Sequence, residues 1–419
     1  MRDKDGVLPQ AHPHGWIIVC ACVIAQMAAL GLTINCFTLF LRYWTVEFAA
    51  PVSSLVIAVT LFSIAAGVVN SFIGIAVDRF PARWLFASAL LTLSLFHLAM
   101  SFIGSTLELV GLYVLVLPVV AAAAGAVSCQ AIVSRWFSGT RHFGLALGIS
   151  AMGAQIAGIV LSPLVAAFLP TLGWRSIFQA FALVIAVVAL PLILIVMREP
   201  HRAPSGGGTK QGSAPADAVG AASDRASDAA LTTMGVLRNR TFWLMMAAFF
   251  PAQAAGLALF LNLGPMLAAR GFDARTTSVV LVATSATAML AKIGAGTLAD
   301  RLGNRLPMVG VTAATACGYL ILASSGTNIL LFGTGAVLIG ICGGAWPLAA
   351  SVIAREFGPT GFGRAFGLAM TIIALTSFAP PVFAFSQELF GTYVVGLLAG
   401  FALVAAGSVA AFGLDSRRA

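Results

Sequence analysis

Along the chain, apolar residues gather into twelve runs, at about 16–41, 53–77, 84–104, 108–133, 143–168, 174–197, 241–268, 276–298, 306–325, 328–353, 365–386 and 391–413. An α-helix needs about 20 residues to cross a hydrocarbon layer ~30 Å thick, and each run is long enough. None shows the alternation over about ten residues that marks a strand of a membrane barrel. The pattern predicts an all-α membrane protein with twelve transmembrane helices. The opening stretch MRDKDGVLPQAHPHG is polar, and the run behind it is too long for a signal-peptide core, so no cleaved leader is expected. Cys20, Cys22, Cys36, Cys129, Cys317 and Cys342 all fall inside runs and read as small apolar fillers, not as disulfide or metal ligands.

Composition agrees with the pattern. Hydrophobic residues make up 60% of the chain and charged residues 9%, where a soluble domain carries about 25% charged residues. The formal charge of +9 raises nucleic acid as a partner, and its distribution removes it. With twelve crossings, both termini share one side. Of the 23 Lys and Arg residues, 18 fall on that side, four (Arg42, Arg175, Arg270 and Arg275) on the other, and Lys292 inside a run. This bias is the positive-inside rule for cytoplasmic termini. The expected location is a multi-pass protein of the cytoplasmic (inner) membrane, and the excess charge reads as topology.

Between the sixth and seventh runs lies REPHRAPSGGGTKQGSAPADAVGAASDRASDAALTTMG, rich in Gly, Ser, Ala and Pro. It reads as a cytoplasmic linker. The expected organisation is a tail (1–15), an N-terminal six-helix bundle (16–197), the linker (198–239), a C-terminal six-helix bundle (240–413) and a second tail (414–419). The halves echo each other. GIAVDRFPAR from Gly74 and GTLADRLGNR from Gly296 both read G-x-x-x-D-R-x-x-x-R, 222 residues apart. SRWFSGTRHFGLALG and AREFGPTGFGRAFGLAM also correspond, with Arg135 and Arg355 220 residues apart and Arg141 and Arg364 223 apart.

Twelve runs in two halves, with that motif repeated, resemble the major facilitator superfamily of secondary transporters. The resemblance spans essentially the whole chain. It implies two pseudo-symmetric six-helix bundles that rock about a midplane site, giving alternating access. It also implies gating roles for Asp78, Arg79 and Arg83 and for Asp300, Arg301 and Arg305, whose counterparts tie helix ends across the cytoplasmic face. In the first copy Phe80 and Pro81 stand where a Gly is common.

Lys292 breaks the apolar pattern. It lies eight residues before Asp300, about 12 Å into the membrane at ~1.5 Å per residue. A lysine near the centre of a spanning helix costs about 2.5–3.5 kcal/mol. Ser278, Ser285 and Lys292 form a stripe at seven-residue spacing, with Gly296 one turn beyond. All fourteen acidic residues, such as Glu47, Glu108, Asp273 and Glu388, fall in loops or at helix ends. Lys292 therefore has no evident carboxylate partner at its depth, and a substrate anion is the simplest source of compensation. The stretch KIGAGTLADRLG is similar to the eighth helix of the monocarboxylate and oxalate/formate branch, where an Arg or Lys four residues before a Gly helps bind a carboxylate. GWIIVCACVIAQMAALGLTINCFTLFL and RHFGLALGISAMGAQIAGIVLSPL resemble the first and fifth helices of that branch. Two departures favour a monoanion. Ala288 stands where animal monocarboxylate carriers place an Asp, and residues 365–386 lack the second lysine of oxalate-type carriers.

Further candidate lining residues follow from helical spacing. Asn35 and Thr38 share a face with Gly31 and Arg42. Gln130 lies one turn before Ser134, and Gln155 lies in line with Gly148, Ala151, Gly158 and Ser162. Asn262 adjoins the breaking pair Gly264-Pro265, Trp346-Pro347 follows Gly343-Gly344, and Thr371 and Phe378 share a face. His97 is a weaker candidate, as a proton shuttle on the third helix. The expected function is secondary active transport of a small organic anion, a monocarboxylate, with Lys292, Ser285 and these residues binding it. A proton is one of the coupling ions left open, and a monomer in lipid is expected. Competing readings are a drug, cation or neutral-solute exporter of the same fold, a membrane-embedded enzyme, or a sensor. The chain has no H-E-x-x-H, G-x-S-x-G or Walker loop, so it reads as no enzyme, and no cofactor or metal is implied.

Overall fold

The computed structural model describes residues 13–197 and 232–414. Most of the expected linker and tails, and the side chains of Thr38 and Ser278, lie outside the described residues. The first stretch contains α1 (Pro13–Leu30), α2 (Phe37–Glu47), α3 (Val52–Arg79), α4 (Ala82–Met100), α5 (Thr106–Leu115), α6 (Leu117–Ala123), α7 (Ala126–Phe137), α8 (Phe143–Ser150), α9 (Gly153–Val184) and α10 (Leu190–Val196). The second contains α11 (Thr233–Arg238), α12 (Arg240–Ala268), α13 (Ala274–Leu302), α14 (Arg305–Ser324), α15 (Ile329–Gly340), α16 (Ala345–Ala374), α17 (Ala379–Phe390) and α18 (Val394–Ala411). Among the described residues there is no strand. The fold is an all-α, multi-span membrane fold.

Among the described residues, eleven helical stretches are long and apolar enough to cross a membrane. One of them, Phe143–Val196, has 54 residues, more than twice the ~20 that one crossing needs. Gly173 lies inside it with φ 74° and ψ 159°, a left-handed conformation that glycine adopts without steric cost. The expected fifth and sixth runs meet at this break. Gly358, with φ 65°, similarly interrupts α16 between the expected tenth and eleventh runs. Some helices begin at ordinary side-chain caps. Ser105 Oγ accepts from Glu108 N at 3.3 Å while Glu108 Oε2 accepts from Gly104 N at 2.8 Å, a close variant of the capping box. Asp273 accepts from Thr276 N at 3.0 Å, and hydrogen bonding to Thr276 holds its carboxyl below the usual range.

Large apolar side chains such as Phe72, Leu115, Val187, Leu298 and Val382 are exposed, as a surface in lipid allows. The two buried tyrosines find backbone partners. Tyr113 Oη donates to the Thr33 carbonyl and Tyr319 Oη to the Ala255 carbonyl, each at 2.8 Å.

Among the described residues, two of the crossings between N-terminal and C-terminal helices depend on glycine. On one, α3 lies on α16, with Gly74 against the Gly363 carbonyl and Gly363 against the Gly74 carbonyl. On the other, α13 lies on α8, with Gly296 and Gly144 facing each other's carbonyls in the same way. A methyl group at any of the four would overlap backbone. Small residues let helix backbones approach closely in membranes, and here they bring the two halves together where the repeated motifs lie.

Candidate functional site

Lys292 is 4% exposed, and its side chain crosses from α13 to the N-terminal half. Its Nζ donates to the Ala151 carbonyl at 2.7 Å and to Gln155 Oε1 at 2.8 Å. Ala151 and Met152 form the break between α8 and α9. Carbonyls at a helix end lose their intrahelical donors and need others. Gln26 on α1 donates to the neighbouring Ser150 carbonyl at 2.6 Å, so one break is served by side chains from two other helices. Gly148 permits the approach, since a Cβ there would overlap the Lys292 carbonyl. Both acceptors of Lys292 are neutral, and among the described residues no carboxylate pairs with it. Dipoles satisfy its donors without cancelling its charge.

The structure brings several sequence candidates to this place. Gln155 contacts Lys292 directly. Asn35, in the π-helical turn Gly31–Asn35, donates to the Ala154 carbonyl at 2.8 Å beside Gln155. Ser285 is half-buried on α13, seven residues before Lys292. Gln130 is buried just behind, donating to the Leu147 carbonyl and Ser150 Oγ at 3.2 Å each.

Other candidates lie apart from the lysine's contacts. Asn262 donates to the Ala258 carbonyl at 2.9 Å and the Pro380 carbonyl at 3.2 Å, pinning α12 to α17. Trp346 Nε1 donates to Gln253 Oε1 at 2.9 Å, and Gln253 donates to the Cys342 carbonyl at 3.1 Å. Thr371 Oγ1 lies 2.5 Å from the Gly67 carbonyl and 2.7 Å from Ser71 Oγ, joining α16 to α3. Phe378 is 56% exposed. His97 Nδ1 meets the Leu93 carbonyl at 2.8 Å, with its ring among Phe96, Phe178 and Phe181. Thr38 lies outside the described side chains. Sequence reasoning missed Gln26, Ser150 and Gln253. Their signal was a polar residue inside an apolar run, the same signal that singled out Gln130 and Gln155.

The repeated motif places its two aspartates alike. Asp78 accepts from the backbone N–H of Gly363 at 3.0 Å and of Arg364 at 2.8 Å. Asp300 accepts from Gly144 N at 2.6 Å and Leu145 N at 3.0 Å. Each carboxylate thus sits at the start of a helical stretch in the opposite half, where free N–H groups and the helix dipole favour negative charge. Arg135 Nη2 stands 3.6 Å from Asp78 and donates to the Val77 carbonyl at 2.6 Å. Arg355, its counterpart in the repeat, lies near enough for its charge to act on Asp300. The motif arginines are placed differently. Arg79, Arg83 and Arg301 are exposed. Arg83 lies over the Trp84 ring at 5.7 Å, and half-buried Arg305 over the Phe412 ring at 5.5 Å.

No group of three His, Cys, Asp or Glu residues able to hold a metal occurs among the described residues. The site offers one buried cation and neutral hydrogen-bonding groups at the junction of two helical halves. Comparison with known proteins gives partial relatives. The chain is 30% identical over 169 residues to the uncharacterized MFS-type transporter YcxA of Bacillus subtilis (strain 168), covering 40% of this chain and 41% of that protein. It is 29% identical over 203 residues to the riboflavin transporter RibJ of Trypanosoma brucei brucei, covering 46% of this chain and 36% of that protein. The matches thus span about two-fifths of each curated relative. The profile of the Major Facilitator Superfamily is broader, matching residues 21–381. That range takes in both aspartate clamps, both glycine crossings and every contact of Lys292, and the chain belongs to the Major Facilitator Superfamily.

Proposed function

We propose that the protein is a secondary active transporter that carries a small organic anion, a monocarboxylate, across a cytoplasmic membrane by alternating access, with Lys292 as the charge partner. The observation that carries this reading is the buried Lys292 ammonium, held among the described residues by the Ala151 carbonyl and the Gln155 carboxamide alone. A carboxylate in their place forms charge-assisted hydrogen bonds, roughly twice as strong as neutral ones. It also supplies the countercharge that the helices lack. Twelve crossings follow if the chain passes through the membrane on both sides of Gly173.

Binding and movement are linked in this scheme. Lys292 belongs to one half and its acceptors to the other. An anion that takes the ammonium from Ala151 and Gln155 removes a contact between the halves, and its own binding energy offsets that loss. Asp78 and Asp300 hold the halves together at the ends of α3 and α13. The positive-inside bias assigns those ends to the cytoplasm, so the clamped arrangement is the one closed on that side. Return of the empty carrier re-forms the Lys292 contacts.

A thermal-stability screen of the purified protein against small mono- and dicarboxylates tests the reading, with Lys292→Gln in parallel. A ligand at 100 times its Kd stabilises by about 2.7 kcal/mol. A monocarboxylate is expected to stabilise the parent and not the variant. Equal responses would remove Lys292 from the site. A second reading, a neutral solute, is favoured by the name of one relative, a riboflavin transporter. On that reading riboflavin, run in the same screen, stabilises the parent and Lys292→Gln alike.

A further inference from the structure

The repeat relates individual positions as well as motifs. Counting back 222 residues turns Asp300 into Asp78, and the same step turns Lys292 into Asn70. The backbone contacts follow this correspondence. The Asn70 carbonyl lies against Gly367 as the Lys292 carbonyl lies against Gly148. Asn70 and Lys292 each stand eight residues before an aspartate that caps a helix of the opposite half. At ~1.5 Å per residue both lie about 12 Å from their clamps. The two side chains therefore occupy matching depths, on opposite sides of the axis relating the halves.

Around α3, the orientation of Asn70 follows from its neighbours at about 100° per residue. Ile57, Leu61, Ile64, Val68 and Phe72 form the exposed face. Gly67, Ser71, Gly74 and Asp78 face α16. Asn70 falls on the far side of that seam from the exposed face, next to the buried side that carries Val77. Its side chain is half-buried and makes no hydrogen bond among the described residues, whereas adjacent Ser71 is engaged by Thr371 at 2.7 Å. An amide away from lipid, at substrate depth and without a partner, is available to a solute.

We propose that Asn70 forms the neutral pole of the substrate site, opposite the cationic pole at Lys292, and that it takes a hydroxyl or carbonyl group borne by the same monocarboxylate. The substrate class is then a hydroxy- or oxo-acid. This rests on the anion reading given above. A carboxamide both donates and accepts, so it serves a hydroxyl or a carbonyl equally. A second carboxylate at that end meets an amide instead of a cation, which separates this chain from a dicarboxylate carrier.

Matched acids titrated against the purified full-length protein, read as thermal shifts, provide the test. The pairs are propionate with lactate, propionate with pyruvate, and phenylacetate with mandelate, and malonate is the dicarboxylate. In the parent, the hydroxy- or oxo-acid of at least one pair binds roughly tenfold tighter, the effect of one hydrogen bond of about 1.4 kcal/mol. Asn70→Ala removes that difference and leaves the plain acid unchanged, while Asn70→Lys brings malonate into binding. Should Asn70→Ala fail to fold, Asn70→Leu must show the same loss. A preference that survives substitution, or a parent indifferent within every pair, overturns the assignment of Asn70 while the anion reading stands. A carboxylate response retained by Lys292→Gln, or none with any acid, overturns both.

Discussion

An ammonium carries three N–H donors, and Lys292 directs two of them at neutral oxygens of the opposite half. Removing one of two buried partners costs more than the hydrogen bond gains, because the remaining group is left unsatisfied. Gln155→Leu is therefore expected to lower stability by about 1–3 kcal/mol. In a Lys292→Met background the same change should cost much less, and a thermal double-mutant cycle measures the difference. Additive effects would show that the two side chains do not act together. Lys292 was legible in the sequence because a charge in an apolar run is conspicuous. Gln155 was legible only as one polar residue among several. That these two meet depends on the break at Ala151 and on Gly148 across the interface, which no spacing within one helix specifies.

At the scale of the element, helices cross where glycine removes the side chain, and the cost of replacing it depends on what lies opposite. Gly74→Val and Gly296→Val are expected to destabilise or spread the crossings, with overpacking costs of about 1–3 kcal/mol. Gly294 on the same helix as Gly296 has nothing within 4 Å of its would-be Cβ. Gly294→Ala is expected to be neutral or stabilising by up to about 1 kcal/mol. Unfolding temperatures of these variants decide the matter, and an equal loss at Gly294 and Gly296 would argue against the crossing. Gly173→Ala places a Cβ at φ 74° and should cost about 1–2 kcal/mol. The hydrophobic pattern placed a run over each long apolar helix of the described residues. It divides Phe143–Val196 into two runs, and in the structure the break between them is confined to a single residue, Gly173. The glycines themselves were visible, but which of the 43 meet a neighbour was not.

For the whole molecule, the two aspartate clamps are equivalent by the repeat and act in parallel. Each carboxylate holds two backbone N–H groups of the opposite half, and hydrogen bonds to a charged group contribute about 1.5–3 kcal/mol. Asp300→Asn is expected to raise amide hydrogen exchange at Gly144 and Leu145 by about tenfold or more, and Asp78→Asn to do the same at Gly363 and Arg364. With both changed, exchange should rise at both places beyond either single effect, since neither crossing then secures the other. Unaltered exchange in the single variants would mean that the glycine crossings alone hold the halves. The repeated Asp-Arg motif marked Asp78 and Asp300 as corresponding positions of the two halves. It did not announce that backbone N–H groups receive the carboxylates while Arg79, Arg83 and Arg301 stay exposed.

By itself the sequence determined the all-helical, multi-span class, the repeated motifs and the lysine inside an apolar run. Apolar run length, recurrence at a fixed offset and the cost of burying charge are all properties of the linear chain. Tertiary structure decided which partners those groups take: Ala151 and Gln155 for Lys292, helix starts in the opposite half for Asp78 and Asp300, and a position matching Lys292 for Asn70. The reason is that partners 137 to 286 residues distant along the chain meet only when two helices cross. The crossing is set by backbone shape at a few glycines, not by the chemistry of the residues that it joins.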